Sequence, residues 1–155
     1  MIRFKRILFP TDFSPAAGYA LDYAISLALE HEGEILLMHV LEEIDLNFPF
    51  SLAPYPASVE YRHGSEDQVK SELAKVISPQ LRRQIRVGEI VVRGKPFVEI
   101  VRAARDQEAD LIVLPTHAAP GLKHSHLGST TERVVRSATC PVLVIRHPEC
   151  EFAMP

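Results

Sequence analysis

The residues after the first apolar run have types that could bind a small anionic ligand. Pro10, Thr11 and Asp12 follow Ile7-Leu8-Phe9, and Asp12 is the only acidic residue in that segment. An aspartate just before a helix can accept a hydrogen bond from a ribose hydroxyl or a purine amino group. It can also accept from nearby backbone N–H groups and so stabilise the turn itself. The position of Asp12 leaves both interpretations open.

A second candidate segment begins with Pro115-Thr116-His117-Ala118, directly after the apolar run 110–114. It leads to Gly128-Ser129-Thr130, where a helix is expected to begin. The free N–H groups and the positive dipole end of such a helix form an anion site. The residues from Ser129 to Glu132 also fit the S-x-x-E capping box, in which both side chains satisfy those N–H groups. Phosphate binding and self-capping are therefore alternatives here.

Two further patterns suggest chemistry only superficially. Residues 88–95 (GEIVVRGK) resemble a phosphate-binding P-loop, but five residues separate the glycines and Pro96 stands where a magnesium-binding Ser or Thr is needed. We interpret this segment as a turn that ends a strand. His117, His124 and His126 share one loop with no cysteine or acid among them, so we expect no metal site.

The cysteines and hydroxyl groups do not indicate a catalytic site either. Cys140 and Cys150 are expected to be unpaired thiols, since two cysteines are too few for a disulfide framework. Ser125 lies between two histidines but lacks the strand-turn-helix context of a nucleophile elbow. We therefore identify no catalytic residue.

Strands and helices must bring the two candidate segments together, and the apolar runs of the sequence predict where these elements lie. Strands are expected at residues 7–9, 34–41, 85–92, 110–114 and 141–145. Helices are expected from Ser14-Pro15 to Gly33, from near Ser58 with an apolar stripe to Leu81, from Lys95-Pro96, and from Gly128-Ser129 to about Ser137.

This alternation of apolar strands and helices predicts an α/β fold with a parallel sheet covered on both faces. Right-handed crossovers make it a doubly wound sheet. Ligands of such sheets bind beyond the carboxyl ends of the strands, where the strand order reverses. Both candidate segments follow strands at that end.

Length and prolines predict the domain organisation. The 155 residues correspond to roughly one domain. We expect a single domain over residues 1–147 and a short tail at 148–155. Residues 42–57 contain three prolines, at 49, 54 and 56, and are expected to form a long loop.

Composition excludes several classes of protein. Lys and Arg total 17 and Asp and Glu total 20, so the net charge is −3 and neither nucleic acid nor an anionic membrane is an expected partner. No apolar run approaches the ~20 residues that span a bilayer. The N-terminal residues lack the cleavage site of a secretion signal, and we expect a cytoplasmic protein with reduced thiols.

Three blocks of the sequence resemble the universal stress protein family. They read ILFPTDFSP near the start, ADLIVLPTH in the middle and GSTTERVVRSATCPVLVIR near the end, and the resemblance extends from Lys5 to Arg146. It implies a Rossmann-like, adenine nucleotide alpha hydrolase-like three-layer α/β/α sandwich with a five-stranded parallel sheet in the order 3-2-1-4-5. It also implies a role in stress response and a homodimer paired through the last strand, residues 141–145.

Many members of that family bind ATP and share a pattern of Gly, two residues, Gly, nine residues, Gly and then Ser or Thr. This chain keeps the spacing and ends in Gly128-Ser129, but Pro115 and Ala118 replace the first two glycines. Pro115 has no N–H and cannot adopt a positive φ. Ala118 is disfavoured in a left-handed conformation by on the order of 1 kcal/mol. These two changes could weaken binding roughly ten- to a hundredfold without abolishing it.

The resemblance implies roles for particular residues. One group would hold the adenosine part of the nucleotide: Pro10, Thr11, Asp12 and Val40. A second group belongs to the motif and would lie at the phosphates, with Mg²⁺ bound through them: Pro115, His117, Ala118, Gly128, Ser129 and Thr130.

The sequence therefore favours a stress protein that binds ATP or another adenine nucleotide. The alternative is a stress dimer that binds no nucleotide and acts through protein partners. An enzyme is least favoured, at most a slow ATPase, because His117 is the only candidate base.

Overall fold

The computed structural model describes residues 1–42, 65–116 and 127–148, and within them five strands form one sheet. The strands are β1 (Arg6–Pro10), β2 (Glu34–Glu42), β3 (Arg86–Gly94), β4 (Leu111–Pro115) and β5 (Val142–Ile145). All pairings are parallel and the order is β3-β2-β1-β4-β5, which confirms the predicted sheet. The order reverses between β1 and β4, so the carboxyl ends of these two strands adjoin.

The helices cover both faces of the sheet. They are α1 (Pro15–His31), α2 (Glu66–Val76), α3 (Pro79–Arg82), α4 (Pro96–Asp106) and α5 (Ser129–Ser137). Because successive strand residues point to opposite faces, Ile7 and Phe9 pack with the apolar side chains of α1 and α2. Leu8 packs with Ile100 of α4 and Val134 of α5. The predicted three-layer sandwich is thus confirmed.

The start of α1 follows its sequence signal. Ser14 is the N-cap, its hydroxyl accepts a hydrogen bond from the Ala17 N–H at 3.2 Å, and Pro15 is the first helical residue. Proline suits that position because its missing N–H would have had no partner in the helix. This cap sets where the chain leaves the carboxyl end of β1.

The end of α1 differs from the prediction that Gly33 terminates it. Glu32, with φ of 51°, takes the left-handed cap position, and its N–H donates to the carbonyl groups of Ala28 and Leu29. Gly33 has another role, because a Cβ there would lie 2.5 Å from the Phe4 carbonyl oxygen. Glycine is required at 33 by the close approach of the chain to the residues before β1.

The second predicted helix is divided in the structure. Helix α2 begins at Glu66 behind a capping box in which Ser65 and Gln68 bond reciprocally. The expected start near Ser58 and most of the expected loop 42–57 lie outside the described residues. Ser78 adopts extended backbone before Pro79, which places Leu81 in α3 rather than in α2.

The segment 88–95 is mostly strand and extends the strand expected at 85–92. Strand β3 continues two residues beyond its expected end at 92 and finishes at Gly94, which has a φ of 147°. None of the helices in the described ranges is long and apolar enough to cross a membrane.

Candidate functional site

The backbone at the end of β1 is fixed by hydrogen bonds around Thr11. The Thr11 N–H donates to the Met38 carbonyl of β2 at 2.8 Å. The Thr11 hydroxyl oxygen accepts a hydrogen bond from the Phe13 N–H at 3.0 Å. Pro10 and Thr11 are both buried. Thr11 therefore shapes the turn through both its backbone N–H and its hydroxyl.

Asp12 is exposed at the tip of this turn. Its Oδ1 atom accepts a hydrogen bond from the Ser14 N–H at 3.0 Å, which is the turn-stabilising role. Its second carboxylate oxygen has no hydrogen-bond partner in the described part of the chain. One oxygen thus holds the turn and the other is available to a ligand hydroxyl or amino group.

His39 lies beside this turn and was not identified from the sequence. Its Nδ1 atom is 2.8 Å from the Thr11 carbonyl oxygen. Because a carbonyl only accepts, Nδ1 carries the proton and donates it. The only sequence signal was a polar residue inside the apolar run of β2.

Phe13, whose ring contacts that of His39, has an unusual backbone conformation. Phe13 has a φ of 61°, in the left-handed region that aromatic residues rarely adopt. Its ring centre lies 4.8 Å from that of His39, with the planes tilted by 30°. The ring contact and the Thr11 hydrogen bonds together stabilise this turn between Asp12 and α1.

The start of α5 does not form the capping box, which was one of the two alternatives for this segment. Gly128 is the N-cap, so Ser129 lies one position inside the helix, and no side chain of the described residues caps the N–H groups. Glu132 instead accepts hydrogen bonds from Arg136, at 3.1 and 3.2 Å. The N–H groups of the first turn therefore keep their capacity to bind an anion.

Two hydrogen bonds join the start of α5 to the end of β4. The Gly128 N–H donates to the Thr116 carbonyl at 2.8 Å. The hydroxyl of Thr131, which is buried, donates to the Pro115 carbonyl at 3.0 Å. The start of α5 is thereby held beside the switch point of the sheet.

A cleft of ≈ 200 Å³ lies at the carboxyl end of the sheet between α4 and α5. Its lining comprises Glu42, Gly94, Lys95, Pro96, Phe97, Ser129, Thr130 and Arg133. Ser129 and Thr130 were predicted as site residues. Lys95, Phe97 and Arg133 were not among the predicted site residues, because no local sequence signal indicates that β2, α4 and α5 meet there.

The other predicted site residues are distributed around the switch point. Val40 lies in β2 opposite Val92 and packs, half-buried, on the face covered by α4 and α5. Pro115 is the last residue of β4. His117 and Ala118 lie outside the described residues, as do His124 and His126. Among the residues described, no group of three or more His, Cys, Asp or Glu side chains could hold a metal ion.

Known proteins match this chain over nearly its full length. The sequence pattern of the universal stress protein family matches residues 3–146. Universal stress protein MJ0577 of Methanocaldococcus jannaschii is 31% identical, over 94% of this chain and 97% of its own. The solved structure of that protein has a TM-score of 0.73, covers 94% of this chain and 98% of its own, and is 29% identical in the superposition.

Two more distant structures share the fold. A universal stress protein in complex with cAMP has a TM-score of 0.66 at 17% identity, covering 93% of this chain and 98% of its own. One from Archaeoglobus fulgidus in complex with dAMP has a TM-score of 0.59 at 22% identity, covering 94% and 99%. The match over residues 3–146 and the shared sheet order lead to one conclusion: this chain belongs to the universal stress protein family.

Proposed function

We propose that this chain is a cytoplasmic stress protein that binds ATP or another adenine nucleotide at the carboxyl end of the sheet. The observation that carries the proposal is the uncapped start of α5, with Ser129 and Thr130 lining the cleft. Backbone N–H groups at a helix start bind phosphate oxygens, and the helix dipole favours the negative charge. The cAMP and dAMP complexes of relatives give the proposal an adenine nucleotide as its ligand class.

The adenosine part is proposed to lie over β1 and β2. Asp12 keeps one carboxylate oxygen for a ribose hydroxyl or an adenine amino group, while its Oδ1 atom holds the turn. Val40 offers an apolar surface to the base. Mg²⁺, where present, is proposed to bind through the phosphates.

The structure describes the backbone at two positions of the glycine motif. Pro115 ends β4 in extended backbone, and Gly128 has a φ of −57°, so neither position uses a left-handed conformation. The remaining cost at Pro115 is one missing N–H donor.

Isothermal titration calorimetry with ATP and Mg²⁺ tests the proposal directly. We expect measurable heat, and no heat at high micromolar protein would refute nucleotide binding. Asp12→Asn keeps the Oδ1 acceptor for Ser14 and removes the negative charge, so affinity is expected to fall about tenfold with little change in stability. Asp22→Asn, an exposed position on α1, is the matched control and should leave affinity unchanged.

The second candidate function is a stress dimer that binds no nucleotide and acts through protein partners. Pro115 and Ala118 at the first two motif glycines favour it. The double variant Pro115→Gly, Ala118→Gly separates the candidates. Binding that appears only in this variant would assign the natural chain to the second class.

Both candidates include a homodimer through β5. This strand pairs with β4 alone in the described sheet and consists of Val142, Leu143, Val144 and Ile145. An apolar edge strand is a template for pairing with another chain. Static light scattering should give the mass of two chains, and a monomer at working concentration would contradict the proposal.

A further inference from the structure

Two basic side chains line the cleft. Lys95 immediately precedes α4, and Arg133 lies in the second turn of α5. Neither forms an ion pair with any residue that the structure describes. In contrast, Arg102 of α4 and Arg136 of α5 each pair with a glutamate on their own helix, at 2.9 and 3.1 Å. Within the described part of the chain, no carboxylate therefore pairs with the two exposed cations at the cleft.

The guanidinium of Arg133 is held in place by an aromatic ring. Its central carbon lies 5.0 Å from the centre of the Phe97 ring, within the range of a cation–π contact. Phe97 itself is partly buried against the core beneath α4 and α5, so the ring is a fixed platform. An arginine held this way keeps its N–H groups for a planar anion and loses less conformational entropy on binding it.

The cleft has room and a net positive charge. Its ≈ 200 Å³ is roughly seven times the volume of one liquid water molecule, enough for more than one phosphoryl group. Glu42, at the end of β2, adds one negative charge against the two positive charges of Lys95 and Arg133. Arg133 lies four positions after Ser129, so the two lie on the same face of α5.

We propose that Lys95 and Arg133 bind the terminal phosphates of a nucleoside polyphosphate and thereby select ATP and ADP over AMP. This inference rests on the proposed function, because the adenosine and first phosphate must first occupy the site at β1 and α5. A nucleoside monophosphate has no phosphoryl group beyond the first and gains little from the two cations. Two side chains outside the glycine motif thus distinguish ligands by their number of phosphates.

The test compares ATP and AMP affinities, measured by calorimetry, in the full chain and its variants. Arg133→Gln and Lys95→Gln are each expected to weaken ATP binding about five- to tenfold and AMP binding less than twofold. Arg136→Gln is the matched control, since it removes the same charge from the same helix outside the cleft lining. It should leave both affinities unchanged. Thermal unfolding checks that each variant remains folded.

A double-mutant cycle tests the role of the aromatic platform. Phe97→Leu keeps an apolar side chain on the core but removes the ring, and it should weaken ATP binding in the natural chain. In the Arg133→Gln background it should have no further effect on ATP. Additive effects of the two substitutions would contradict the platform and overturn that part of the inference.

The outcomes separate this inference from the proposed function. If the natural chain binds ATP and AMP equally well and Arg133→Gln changes neither affinity, the inference is wrong while nucleotide binding stands. If the natural chain binds neither nucleotide, both proposals are wrong. A preference for ATP that Arg133→Gln and Lys95→Gln reduce, and Arg136→Gln does not, supports the inference.

Discussion

The Nδ1 atom of His39 lies 2.8 Å from the carbonyl oxygen of Thr11, and this hydrogen bond joins the ends of β2 and β1. It acts on the residue just before Asp12, and the imidazole also contacts the Phe13 ring. His39 therefore stabilises the turn that carries the Asp12 carboxylate. It is not itself one of the proposed ligand contacts.

His39→Phe is expected to lower the free energy of unfolding by about 1–2 kcal/mol. The variant keeps an aromatic ring against Phe13 but removes the donor to a buried carbonyl. Urea denaturation measures the change. His31→Phe is the control, because the His31 ring also contacts a phenylalanine, with its centre 5.1 Å from that of Phe4, and makes no side-chain hydrogen bond within the described residues. Equal losses in both variants would show that the Thr11 hydrogen bond contributes nothing.

Gly33→Ala is expected to destabilise the fold by about 2–4 kcal/mol. The new Cβ would lie 2.5 Å from the Phe4 carbonyl oxygen, so the backbone on one side must move. Gly18→Ala is the opposite case, since no atom lies within 4 Å of its added Cβ. That helical substitution should stabilise the chain by roughly 0.5–1 kcal/mol. A melting temperature that rises in both variants, or falls in both, would contradict these two expectations.

Thr131→Val tests the connection between α5 and β4. It keeps the β-branched shape and removes the hydroxyl that donates to the Pro115 carbonyl at 3.0 Å, at a cost of about 1 kcal/mol. The start of α5 should also become less well placed, so affinity for ATP should fall. Thr139→Val, at an exposed position before β5, should change neither quantity. Unchanged calorimetric affinity in Thr131→Val would mean that this hydrogen bond does not position the site.

The thiol of Cys140 is expected to be poorly reactive. Burial, and to a lesser degree the negative charge of Asp110, raises the pKa of this thiol above its ordinary value of 9.0. Because thiolate is the reactive form, alkylation of a Cys150→Ser variant at pH 8 should be slower in the native state than in urea.

The same pKa shift has a consequence for stability. The native chain retains this proton to a higher pH than the unfolded chain, so stability should decrease as the pH rises above the usual thiol range toward the raised pKa. In a Cys150→Ser background, Cys140→Ser should remove this alkaline slope. A native alkylation rate as fast as that in urea would contradict the raised pKa.

Local signals in the sequence predicted most of the fold. The apolar runs located the strands, and Ser14-Pro15 located the start of α1, because these features depend on neighbouring residues. The sheet order came from the family resemblance. Of the two alternatives at the start of α5, self-capping by the S-x-x-E pattern does not occur, because Gly128 rather than Ser129 takes the N-cap position. The hydrogen bonds from Gly128 and Thr131 to the end of β4 place the helix start one residue earlier.

The candidate site was only partly predictable for a different reason. Asp12 and Ser129 were identified because each lies in a recognisable segment. The contact of His39 with Thr11 joins residues 28 positions apart, and no periodicity indicates it. Phe97 and Arg133 likewise meet only because α4 and α5 pack side by side, so the sequence alone could not pair them.

The two edges of the sheet differ in a way that limits how copies of the chain can assemble. Strand β5 carries only apolar side chains, whereas β3 exposes Arg86, Glu89 and Arg93 along its length. Charged side chains on an edge strand oppose pairing with another strand. If both edges accepted a neighbour, copies could add without end into a fibre. The proposed homodimer through β5 would therefore be self-limiting, because only one edge of each sheet permits pairing.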